Sequence, residues 1–63
     1  MIEEFTRVLR EKLRDEAEIE RNSISRGAAA DFAEYRYACG VIRGLALAEQ
    51  LLIDLRNAAE SAD

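Results

Sequence analysis

From Ala28 to Glu60 nothing in the sequence stops a helix. The chain has no proline, and its three glycines fall singly at positions 27, 40 and 44. A helix over this stretch, about 30 residues long, measures roughly 45 Å at the standard rise. At about 100° per residue, Phe32, Tyr35, Cys39, Ile42 and Ala46 form one apolar stripe. Tyr37, Val41, Ala48, Leu52 and Leu55 form another on roughly the opposite side. Between residues 37 and 53 the only strongly polar side chains are Arg43, Glu49 and Gln50. A helix this apolar round its circumference needs more neighbours than one short helix supplies, so the sequence predicts assembly.

The first part of the chain predicts a partner helix over about residues 2–21. Ile2, Phe5, Leu9, Leu13 and Ala17 recur at spacings of three and four, with Val8 beside them. That periodicity lines one helical face. Opposite charges at i,i+4, such as Glu3/Arg7, Arg7/Glu11, Lys12/Glu16 and Arg14/Glu18, describe a solvated outer face. Asn22, Ser23, Ser25 and Gly27 cluster within residues 22–27 and predict the turn. The second helix is expected over about 28–60, with Ser25 or Asp31 as its N-cap, the latter followed by Glu34 at capping-box spacing. The expected fold is therefore all-α, a single antiparallel two-helix hairpin with a longer second helix, completed by oligomerisation or by docking on a larger partner. The length mismatch predicts that Leu51, Leu52, Ile53 and Leu55 outreach the first helix and find their cover elsewhere.

Composition removes several classes of function. The chain is 63 residues long with a net charge of -4, no His, no Trp and one Cys. Disulfide scaffolds, Cys/His zinc sites, haem ligation by His, and Ser-His or Cys-His catalysis have no residues to work with. The acidic balance argues against a generic polyanion binder. Asp15, Glu16, Glu18 and Glu20 lack the spacing that organises a metal, and Arg14 and Arg21 interleave with them. No cofactor, metal or catalytic residue is expected. A lone Cys points to a reducing compartment, and neither a signal peptide nor a membrane span is read from the sequence. Gly40 and Gly44, extended by Ala48, place small residues on one helix edge where another backbone can approach. Together with Phe32, Tyr35, Cys39, Val41, Ile42, Leu51, Leu52 and Leu55 they make the expected interface, with Cys39 a buried, inert thiol. Arg26, Arg36 and Arg43 occupy the only locally basic segment. Ion pairing is their default role, and a nonspecific contact with nucleic acid is the other.

The block from Asp31 to Glu49, DFAEYRYACGVIRGLALAE, followed by Asp54-Leu55, resembles small helical proteins encoded among the head and portal genes of short-tailed marine bacteriophages. The resemblance covers roughly residues 29–56. It implies a minor, non-enzymatic virion component, assembled in the host cytoplasm and seated in multiple copies against itself and a larger portal, adaptor or core protein. No catalytic residues come with the family. The alternative is a freestanding cytoplasmic four-helix dimer acting as an RNA-binding or regulatory module. The mass of the protein in solution discriminates between them.

Overall fold

The computed structural model describes residues 2–61 and arranges them as two helices, α1 (Ile2–Ser25) and α2 (Phe32–Ser61), that pack against each other as a hairpin. Both start where acidic side chains meet the positive end of the helix dipole, Glu3 and Glu4 in α1 and Glu34 in α2.

The connection lies four residues later than the Asn and Ser cluster suggests. Asn22, Ser23 and Ser25 belong to α1, and Ser25 is not an N-cap, since its hydroxyl donates to the Asn22 carbonyl at 3.1 Å. Two local devices set the real boundaries. Gly27 takes φ +76°, its N–H bonds the Ile24 carbonyl at 2.9 Å, and the Ala28 N–H bonds the Ser23 carbonyl at 3.1 Å. This paired closure satisfies carbonyls that a helix end otherwise leaves open. Asp31 then caps α2, accepting the Glu34 N–H at 2.8 Å, while the Glu34 carboxylate accepts the Ala30 N–H at 2.6 Å. The alanines at 28–30 are good helix formers, yet they lie in the connection because these caps stand on either side of them.

The two helices meet along a seam that differs from the apolar stripe of α1. Apart from Val8, every α1 residue that the hairpin shields falls in the series Thr6, Arg10, Leu13, Ala17, Glu20 and Ile24, spaced alternately by four and three. That is the period of two long helices in contact along their length. The expected stripe, by contrast, steps by four from Phe5 to Leu9, Leu13 and Ala17, and each such step advances about 40° round the helix. It therefore slants across the seam, joining it at Leu13 and Ala17 and leaving it towards the N-terminus. Ile2 is 76% exposed, Phe5 70% and Leu9 36%. On α2 the shielded residues, among them Ala38, Val41, Ile42, Leu45, Ala48 and Leu52, lie between the two stripes of that helix and cover the inner edge of each.

Small side chains hold the helices close. Ala17 and Thr6 are the buried residues among those described, and the Thr6 hydroxyl is satisfied by the Ile2 carbonyl at 2.8 Å. Among the described residues no side chain reaches full burial. The molecule is a single-layer rod of 50 × 16 × 11 Å with a radius of gyration of 14.8 Å. A compact domain of this length has a radius near 11 Å.

The anticipated overhang of α2 is absent. Ile2 and Thr6 of α1 line the same groove as Leu52, Leu55, Arg56 and Ala59. Running α1 through Ser25 and starting α2 at Phe32 brings the helices to 24 and 30 residues. Leu51 and Leu55 are exposed because they face outward, not because α1 ends before it reaches them.

The cap geometry makes a direct prediction. A Cβ at Gly27 meets nothing within 4 Å, so Gly27→Ala is resisted by backbone conformation alone, which costs about 1 to 2 kcal/mol. Urea unfolding at matched protein concentration should show that loss.

Candidate functional site

Most of the exposed large apolar side chains are gathered on one face, with Phe32 and Tyr35 apart from it. On α2, Tyr37 is 76% exposed, Leu47 59%, Leu51 59% and Leu55 68%. Gly40 and Gly44, also exposed, complete a continuous line along that helix. On α1 the outward group is Ile2, Phe5 and Leu9. In both helices these residues sit on the same rotational side of the seam, by about 65° in α1 and 125° in α2. Two right-handed helices packed antiparallel bring such sides together on one face of the hairpin. The grooves between the helices agree: Ile2 shares one with Leu55 at the open end, and Ser23 shares another with Tyr37 at the turn.

The eleven expected interface residues divide into three strips. Val41, Ala48 and Leu52 turn towards α1, with Ile42 at the margin of the seam. Gly40, Gly44, Leu51 and Leu55 belong to the outward face. Phe32, Tyr35 and Cys39 lie on the far flank of α2, where the Phe32 and Tyr35 rings stack at 6.4 Å between centroids. The Arg36 guanidinium sits 5.9 Å from the centre of the Phe32 ring, a cation–π arrangement that occupies one of the three basic residues of this segment. Cys39, anticipated as a buried thiol, is exposed on the chain because α1 packs to one side of its stripe. It pushes the neighbouring Tyr35 hydroxyl above its ordinary pKa. A Cβ added at Gly40 or Gly44 meets nothing within 4 Å. Among the described residues nothing fills the notch that the two glycines leave.

Charge is concentrated on the opposite face. Glu49, with its side chain 19% exposed, accepts from Arg10 Nε at 3.0 Å and from Arg14 Nε at 2.6 Å. Arg14 thus reaches across the hairpin in place of the expected pair with Glu18. The Arg10 hydrogen bond is the main reason that the Glu49 pKa is lowered, with Arg14 adding to it against the cost of desolvation. Arg7 bonds Glu4 and also Glu11 at 2.7 Å, and Arg21 lies 3.6 Å from Glu18. Sequence reasoning missed the Glu49 clamp. Part of its signal was present: Glu49 is the lone acid in the most apolar part of α2, whereas Arg10 lies off the apolar stripe of α1 and joins the seam only because the stripe slants across it. Among the described residues no cluster of His, Cys, Asp and Glu has the grouping to hold a metal ion, and no helix is long and apolar enough to cross a membrane.

No family model matches the chain, and no curated protein or solved structure matches it either.

Two outcomes follow from this geometry. Because the Glu49 pKa is lowered on folding, its contribution to stability is present above the ordinary Glu value of about 4.3 and is lost as pH falls through the lowered value. Thermal unfolding followed from pH 6 to pH 2, a range spanning that window, should show a fall in melting temperature that Glu49→Gln makes shallower. Cys39, exposed and about 125° round α2 from the outward line, should react rapidly with a thiol reagent in the intact protein. Cys39→Ala should leave its sedimentation unchanged.

Proposed function

We propose that this chain is a non-enzymatic assembly subunit that works by docking helices against the face carrying Ile2, Phe5, Leu9, Leu47, Leu51 and Leu55. The observation that carries this reading is the amount of surface left over. The chain exposes 5145 Å², about 1,000 Å² more than a compact monomer of its mass. A stable protein–protein interface removes about 800 Å² from each partner. The excess therefore has the size of one interface, and the exposed leucines supply an apolar patch to fill it.

The resemblance of residues 31–49 gives the setting: a short-tailed bacteriophage particle, in which copies of the chain lie against one another and against a larger portal, adaptor or core protein. The ion-paired face opposite the leucines suits the solvent side of such an assembly. A freestanding four-helix dimer uses the same face, and the two settings separate by whether the protein copurifies with particles.

Sedimentation equilibrium tests the reading itself. The protein is expected at a multiple of its 7.1 kDa chain mass, and Leu51→Glu with Leu55→Glu should return it to single chains that keep their helical circular dichroism. Wild-type protein that stays a single chain at every concentration, and that does not copurify with particles, would overturn the proposal.

A further inference from the structure

The outward line of α2 has a size pattern that reads in reverse. Its members are Tyr37, Gly40, Gly44, Leu47, Leu51, Leu55 and Ala58, all exposed. Reversed about a point between residues 47 and 48, position 40 falls on 55, position 44 on 51 and position 37 on 58. Each glycine then meets a leucine, and Tyr37 meets an alanine. We infer that the occupant of this line is α2 of a second copy, lying antiparallel across a two-fold axis beside Leu47, with Leu51 and Leu55 of each chain seated over Gly44 and Gly40 of the other.

Three further observations carry this. The notch at each glycine is open, since a Cβ there meets nothing within 4 Å, so a leucine of another chain can enter it. In a parallel pairing glycine would face glycine and leucine would face leucine, leaving a void at one end and crowding at the other. Charge agrees with the antiparallel choice. Arg43 and Asp54 stand on the same flank of the line, and Arg43 makes no ion pair among the described residues. In this register Arg43 comes level with residue 52 of the second copy, within about 3 Å of axial rise of its Asp54. A two-fold axis makes that pair twice, as an isologous interface requires. The excess surface of about 1,000 Å² per chain is what one such interface consumes.

The inference rests on the proposed assembly role, and the experiment separates the two. Full-length chains carrying Cys39→Ala are given either Gly44→Cys or Leu51→Cys and oxidised in air, singly and mixed. The mixture should form the disulfide between positions 44 and 51, and each single variant should stay largely uncrosslinked, because like positions stand about 10 Å apart along the axis. In parallel, Gly44→Leu and Leu51→Gly should each weaken self-association about tenfold or more, and the double variant, which exchanges the two sizes, should recover most of it. Crosslinking of Gly44→Cys to itself, or a double variant no better than the singles, overturns the antiparallel register while self-association stands. A wild-type protein that sediments as single chains overturns this inference, and it overturns the assembly role as well if it also fails to copurify with particles.

Discussion

A helix lying against one neighbour hides only one sector of its circumference, and α2 is apolar over far more than one sector. That mismatch governs the rest of the molecule. α1 takes the middle ground between the two stripes of α2, covering Val41, Leu52 and Ile42 and leaving the outer edge of each stripe uncovered. Nothing in a two-helix arrangement can do better, because turning α2 to hide Leu51 and Leu55 would uncover Val41 and Ile42. The result is a rod without a deep interior, in which the best buried residues are an alanine and a threonine. Two small side chains bring the helices together but bury little area, so the hydrophobic contribution of the hairpin alone is modest.

The same constraint explains what was legible in the sequence. Helix number, helix type and the greater length of α2 followed from the missing proline and the apolar spacing, and the structure has them. The boundaries did not follow, because Asn22, Ser23 and Ser25 prefer turns locally while Ile24 gains cover in the seam and Gly27 offers a better stop. Local preference lost to burial of one side chain and a well-made cap. The interface residues were legible as a set but not as a surface. Periodicity shows which residues share a face, and only the position of α1 shows which of those faces is already occupied. Phe5 illustrates the limit: it belongs to a genuine amphipathic stripe, yet the stripe slants and the seam does not.

Polar side chains sort with the same logic. Glu49 is held by Arg10 and Arg14 on the side away from the leucines, so the cross-helix ion pairs seen in the hairpin lie off the apolar face. Exposed pairs such as Arg7 with Glu11 contribute little individually. Their arrangement still matters, since the face opposite the leucines presents fixed, paired charge to water, while on the leucine side the α2 line carries no charge and the α1 line turns polar at Lys12 and Glu16. A chain divided in this way has a defined inside and outside before it has met any partner.

The connection between the helices carries one more consequence. Its hydrogen bonds are all local: the closure at Gly27 spans Ser23 to Ala28, and the cap at Asp31 spans Ala30 to Glu34. Neither draws on the leucine face. A short loop closed by its own backbone bonds costs little chain entropy and belongs to the class of contacts that form within microseconds. The connection can thus close early and without the leucine face, so a partner arriving at that face meets a surface whose connecting loop it need not order. Binding to such a surface forfeits less conformational freedom than binding that must fold its target.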